Sequence, residues 1–213
     1  MNATVRKPGL ARMLALATLF ETNRGRRVPL PPRLMRKYGE LRLPPPGAQP
    51  YVYSNFVTTL DGVVSLNVKG HASGADISGF NVQDCMVMGL LRSVADAIVI
   101  GSGTLSADRW HVWTAAGIFP AFANEYRRLR AALGRPEVPL NLIVSGSGDI
   151  DLRLPVFTLA PQIVGRETGD HRLSLVMGKL FAPGDTKWGR LVDARRGSSH
   201  LFLRYSFAGV SAK

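Results

Sequence analysis

Apolar residues recur along this chain in three patterns, each predicting a kind of element. From Phe80 to Ala95 they fall every fourth position, at Val82, Met86, Leu90 and Val94, with Val87 and Leu91 beside them. That spacing is the stripe of a helix with one face in a core. Met86 and Met88 read there as packing residues, and Ser78 just upstream is a candidate N-cap. A second helix is predicted to open at Phe119–Pro120, with Pro in its first turn, and to stop before Gly134. Phe122, Tyr126, Leu129 and Leu133 mark its buried face, and Arg127, Arg128 and Arg130 its solvated one. Shorter helices are expected over Met13–Phe20 and, between two Pro-rich runs, over Arg33–Glu40.

The other two patterns predict strands. Ile98–Val99–Ile100 is too short for a helix and has the β-branched character of a buried parallel strand. Val138–Val144 and Val156–Gly165 are predicted as further strands. Tyr51–Leu60 is rich in aromatic and β-branched residues, as strands are, and Asp61–Gly62 then turns it into extended Val63–Leu66. In the tail, Ser199–Ala208, Leu201, Leu203, Tyr205 and Phe207 alternate with His200, Arg204 and Ser206. This predicts an antiparallel strand that buries its apolar side. The succession of strand, small turn and helix gives an α/β class with a mixed, mostly parallel sheet flanked by helices. One join is anomalous. No helix is predicted between Val138–Val144 and Val156–Gly165, although parallel neighbours need a crossover of a dozen or more residues.

Candidate chemistry gathers where Ile98–Ile100 ends. Gly101–Ser102–Gly103–Thr104 comes directly after it, with Asp108 beyond. In an open α/β sheet, ligands bind outside the carboxyl ends of the strands, and small residues there let backbone amides approach a phosphate. A tight turn without a ligand would use the same residues. Ser145–Gly146–Ser147–Gly148 repeats the arrangement after the next strand. Asp61 is either turn chemistry or a carboxylate at a strand end, and the loop of residues 70–79 carries His71, Ser73, Asp76 and Ser78. Arg92 suits a helix C-terminus or a phosphate. The cluster Arg109–Trp110–His111–Val112–Trp113 could wall a site or anchor a core.

Composition narrows the classes. The 213 residues carry one cysteine, so no internal disulfide is possible and a reducing, cytoplasmic setting is expected. No apolar run approaches the roughly 18 residues that span a bilayer, and the residues after Phe20 lack the chemistry of a signal-peptide cleavage site. The formal net charge is +12, and residues 1–50 hold ten Lys or Arg against Glu21 and Glu40, which is +8 of it. Residues 1–49 therefore read as a basic, Pro-rich arm over the surface of a domain spanning residues 50–213. Aromatic residues do not interleave with the basic ones as in a stacking surface, which argues against nucleic acid.

Five stretches, Asn55–Ser65, Asp76–Gly79, Leu90–Asp108, Leu140–Gly148 and Leu159–Glu167, together resemble the reductase domain of riboflavin biosynthesis. That is the C-terminal half of bacterial bifunctional deaminase–reductases and their stand-alone pyrimidine-reductase relatives, with a dihydrofolate-reductase-like fold. The resemblance runs from Pro50 to the end, and the arm is similar to that of a stand-alone subgroup. No His-x-Glu or Pro-Cys-x-x-Cys zinc signature occurs, and no metal is expected. The resemblance implies a homodimer that uses NADPH to reduce the ribosylamino group of a pyrimidine nucleotide 5′-phosphate to ribitylamino. It places Thr58, Asp76, Ser78, Gly101, Ser102, Gly103, Thr104, Asp108, Ser145 and Gly146 at the cofactor. Arg92, with Arg109 or His111, would meet the substrate phosphate, and Asn55 and Asp61 would be catalytic. Asn55 stands where relatives often carry Lys and cannot donate a proton as Lys does.

One departure cuts across that assignment. Relatives carry a helix, a strand, an acidic Gly-Gly-Pro loop and a further helix between the counterparts of Phe157 and Thr158, and this chain has no Gly-Gly-Pro at all. The loop would grip the cofactor's pyrophosphate, so NADPH binding is expected to be weak or lost. A sheet without that strand is expected to leave unpaired edge groups and bare apolar surface. The other readings are a non-catalytic, dimerising remnant and a reductase of another pteridine- or flavin-like substrate.

Overall fold

The computed structural model describes residues 13–22, 24–47, 50–66, 68, 71, 73–159, 162–166 and 189–206. Residues 1–12, Gly70, Glu167, Phe207 and Ala208, which figure in the sequence reading, lie outside these. The chain is mixed α/β, and its strands fall into three small sheets rather than one. The parallel sheet has the order β4-β5-β6, formed by Ala97–Gly101, Leu140–Ser145 and Gln162–Arg166. The antiparallel sheet has the order β1-β7-β8, formed by Ala17–Glu21, Arg190–Arg196 and Leu201–Ser206. A two-stranded ribbon joins β2 (Arg26–Arg27) to β3 (Arg42–Leu43).

The locally encoded elements form as the pattern predicts. Helix α1 spans Pro32–Tyr38, and α3 spans Val82–Val94 with Met86, Leu90 and Val94 buried. Helix α6 (Ala123–Ala132) comes after a 3-10 turn at Pro120–Phe122, and Gly134 beyond it has φ +67°. Tyr126 of α6 donates its hydroxyl to the Met86 carbonyl at 3.0 Å. A Cβ on Gly89 would sit 2.5 Å from that hydroxyl, so only glycine admits so close an approach.

Several expectations are corrected. Ser78 does not cap α3; it ends the short helix α2 (Gly74–Ser78). Asn81 caps α3 instead, accepting from the amides of Gln83 and Asp84 at 2.8 and 3.0 Å. Arg130 is buried, not solvated. It donates to the carbonyls of Ser93 and Ala95 at 3.3 and 2.7 Å, while Arg135 takes that of Val94. Two arginines thus satisfy the carbonyls that a helix C-terminus leaves open, at its negative end. Met13–Phe20 is not a helix: its second half enters β1, because short apolar runs follow whichever partner is offered. Here the partner is β7, paired from Ala17↔Arg196 to Glu21↔Asp193 with a bulge between Thr18 and Phe20. Residues 13–43 do not lie over a finished surface. Met13, Leu16, Val28, Leu30, Leu34, Tyr38 and Leu41 enter one buried cluster with α3 and α6.

Tyr51–Leu60 forms no strand, and no hydrogen-bonded ladder joins it to a strand among the described residues. The Asp61–Gly62 turn does form, with Gly62 at φ +88° and its amide on the Thr59 carbonyl. Residues 146–161 contain α7 (Val156–Leu159) where strand was predicted, and this turn of helix completes the crossover that joins β5 to β6 in parallel. Strand β8 is antiparallel as expected, but its faces are reversed. Leu201, Leu203 and Tyr205 are exposed, and Phe202 turns inward to pack against the core.

The reason lies in β7. Arg195 is fully buried and uses all five of its N–H donors. Nε and Nη2 bind the Asp193 carboxylate at 3.1 and 2.8 Å, Nη1 binds Thr18 Oγ1 and the Tyr38 carbonyl, and Nη2 also binds the Glu40 carbonyl. Its guanidinium lies 4.4 Å from the centre of the Tyr38 ring. This polar seam claims the inner face of the sheet, and the apolar side of β8 is left outside. Replacing Arg195 by Met strands a buried Asp193 carboxylate and is expected to cost about 3–5 kcal/mol. Urea denaturation measures it, and Arg195→Lys should rescue little, because an ammonium cannot reproduce the fork.

Candidate functional site

Strand β4 runs parallel to β5 with Ile98 opposite Asn141 and Gly101 opposite Val144, so their carboxyl ends finish side by side. Beyond them the chain turns into α4 (Ser102–Ala107) on one side and the Ser145–Gly148 turn on the other. The register therefore unites six residues assigned from sequence: Gly101, Ser102, Gly103, Thr104, Ser145 and Gly146. Ile100, Leu105, Trp113, Ile143, Leu154 and Val156 form the apolar floor beneath. The other expectation for β4, burial on both sides, is not met: Ile100 is buried, but Val99 is 66% exposed. Only one face of this short sheet is covered there.

Gly148 is glycine for its φ of +76°, but Gly101, Gly103 and Gly146 at this crevice have no conformational reason to be glycine. Gly101 has φ −76°, and neither Gly103 nor Gly146 has a positive φ. A Cβ on any of the three would meet no atom within 4 Å. Packing does not demand them either, so the space they leave faces outward. Ser145 is buried, and its Oγ accepts from the Gly148 amide at 3.0 Å, which fixes the second turn.

Adjoining the crevice is a cleft of about 180 Å³ lined by Ser102, Leu105, Ser106, Arg109, Asp149, Ile150, Asp151 and Leu154. Arg109 reaches it but is engaged: Nη2 lies 2.5 Å from Asp151 Oδ2. Arg153 meets the same carboxylate at 2.8 and 3.1 Å. Hydrogen bonds from Arg153, and then from Arg109, hold Asp151 below the usual carboxylate range. Asp149, Asp151 and Arg153 were missed in the sequence, where the Asp-x-Asp-x-Arg run directly after a Gly/Ser turn is the feature that marks them.

Arg92 and His111 meet each other, whereas Arg109 meets Asp151. Arg92 Nη1 donates to His111 Nε2 at 2.8 Å and to the Thr114 carbonyl at 3.3 Å. With Nε2 accepting, Nδ1 carries the proton, and it lies 3.7 Å from Asp108. Burial lowers Arg92 to about 10, leaving it cationic at neutral pH. Burial, and then the Arg92 charge, lower His111 to about 4. Trp113 packs edge-on against His111 at 4.9 Å and is an anchor in the core, whereas Trp110 is exposed.

The remaining assigned residues are held by local contacts of their own. Asn55, Thr58 and Asp61 lie on exposed coil, and Asp61 accepts from the Thr59 hydroxyl. Asp76 closes a capping box with Ser73 and bonds His71 at 3.2 Å; these hydrogen bonds, Ser73 foremost, lower its pKa. Ser78 is buried and bonds the Ala75 carbonyl. A larger cavity of about 330 Å³, between α5 (Ala115–Ile118), α6 and the entry to β5, is lined by none of the assigned residues.

No family model matches the chain, and no curated protein matches it.

The Arg92–His111 contact carries a pH signature. An unfolded histidine titrates near 6.5, so between pH 6.5 and about 4 the unfolded chain binds the proton and the folded chain does not. The contribution of His111 is complete above 6.5 and is lost as pH falls towards 4, by about 3 kcal/mol at 1.36 kcal/mol per unit. The wild-type minus His111→Gln stability difference, measured by urea titration at several pH values, should show that slope and flatten below pH 4.

Proposed function

We propose that the chain is a reductase-type nucleotide-binding domain of dihydrofolate-reductase-like ancestry. It takes the phosphate-bearing bridge of NADPH at the carboxyl ends of β4 and β5 and acts on a ribosylamino-pyrimidine phosphate. One observation carries this reading. Three glycines, 101, 103 and 146, stand together at neighbouring parallel strand ends, needed neither by backbone conformation nor by packing. Such glycines make sense where something outside the chain comes close to the backbone. The residues present thus fit the anionic bridge, with Gly101, Ser102, Gly103, Thr104 and Gly146 around it. NADPH, once held, supplies the hydride.

The protein's own part is positioning and charge compensation. Arg109 can turn from Asp151 to an incoming phosphate, and Arg92 stays cationic beside neutral His111. Because Arg109 must exchange one anion for another, and the Gly-Gly-Pro loop is lacking, binding is weak. Titrating NADPH fluorescence tests the reading. Gly103→Val should lower affinity at least about tenfold with no loss of thermal stability, since its side chain enters open space. Equal affinity of the two proteins removes the assignment.

A homodimer, as the resemblance implies, is favoured by a separate observation. Phe20, Leu201, Leu203 and Tyr205 expose apolar surface on β1 and β8 of the antiparallel sheet, and bare patches of this kind mark interaction sites. Leu203→Lys should shift a dimer to monomer in light scattering after size exclusion.

A further inference from the structure

Among the described residues, strand β4 is hydrogen-bonded on one side only. Its ladder runs to β5, and among the described residues no strand pairs its other edge. A parallel strand is ordinarily an interior strand covered on both faces, yet Val99 at its middle is 66% exposed. An open edge beside bare apolar surface is a template for one more strand.

The chain holds a segment of the matching kind. Residues 51–60 are the most strand-prone stretch outside the sheets, and they lie as coil with Val52 82% and Phe56 52% exposed and Leu60 wholly so. Among the described residues of 44–73 there is no helix and no named strand; so long a connection is uncommon inside a domain, and loops seldom carry so many aromatic and β-branched residues. Tyr53 donates to the Leu91 carbonyl at 2.7 Å, and Thr59 and Val63 close the Asp61–Gly62 turn. Thr59 and Leu60 belong to that turn, so its hydrogen bonds open when the whole segment becomes a strand.

Connectivity fixes the direction. Residues 51–60, then α3, then β4 repeat the order of β4, α6 and β5, which are parallel. A strand returning through a helix of this length comes back parallel and by a right-handed crossover. We propose that Tyr51–Leu60 adds to the free edge of β4 as a fourth, parallel strand, and that this paired form completes the site. With Leu60 level with Gly101, Thr58 lies beside Val99. Phe56 and Leu60 then fall on the bare face of Val99, and Val57 and Thr59 on the side of Ile98 and Ile100. Asp61 comes to the carboxyl end, next to Gly101–Thr104. The completed site, though not the strand pairing, rests on the nucleotide reading above.

Disulfide trapping tests the pairing on the full chain without nucleotide. In a Cys85→Ser background, Thr58→Cys is combined with Val99→Cys or, as control, with Leu201→Cys, an exposed position on the other sheet. Under mild oxidation the 58–99 pair should close within one molecule at least about tenfold faster than the 58–201 pair, reflecting its higher effective concentration. Equal rates overturn the proposal. Disulfide-linked dimers at 58–99 also overturn it, because a second copy then fills the edge. Adding NADPH should speed the 58–99 closure further. Closure that ignores NADPH upholds the strand and counts against the nucleotide reading alone.

Discussion

The parallel register of β4 on β5 is the constraint that creates the candidate site. Two parallel neighbours can be joined only by a long crossover, so the chain between them must supply a helix and return to the same end. Helix α6 does this, and its Tyr126 and Arg130 tie it to α3 at the Met86 carbonyl and the α3 C-terminus. Once that geometry is set, Gly101 and Val144 are opposite, and the start of α4 and the Ser145–Gly148 turn emerge together. Neither is a site alone. The register makes a crevice of them.

Buried arginine, rather than buried aliphatic packing alone, fixes the relation of the remaining parts. Arg195 joins β7, β1 and the end of α1, and Arg130 joins α6 to α3, mostly through backbone carbonyls. A guanidinium has enough donors to satisfy several carbonyls at once, which matters where short helices and strands leave many unpaired. Part of a strongly basic composition therefore serves the interior. Counting charges along the sequence treats every arginine as solvated, and that is why periodicity assigns Arg130 to the wrong face.

Elements decided within their own residues were legible in the sequence. The stripe of α3, the Pro-bounded α1, and the Ile98–Ile100 and Leu140–Val144 runs needed only their own periodicity. The Gly101–Thr104 and Ser145–Gly146 halves of the crevice were legible for the same reason. Elements decided by a distant partner were not. Residues 17–21 become β1 because β7 lies alongside, and β8 turns its leucines outward because the Arg195 seam occupies the inner face. The Arg109–Asp151 pair joins positions whose spacing carries no period, so only the folded geometry brings them together.

The same distinction explains why Asn55, Thr58 and Asp61 lie on exposed coil rather than at a strand end. A helix can bury its stripe against whatever is near, but a strand has no stable existence until a neighbour completes its ladder. Tyr51–Leu60 has the composition of a strand, and β4 has an edge with nothing on it among the described residues. Composition and topology therefore conflict in the coil form at two places, and a single rearrangement resolves both. Sequences that fold to one state avoid such local conflicts, and where a conflict persists it tends to fall at a functional site. Here it falls beside the three glycines that neither conformation nor packing requires. The edge that no described strand pairs, the exposed Val99 and the outward-facing glycines thus meet at one place, the side of the crevice that the proposed fourth strand would wall.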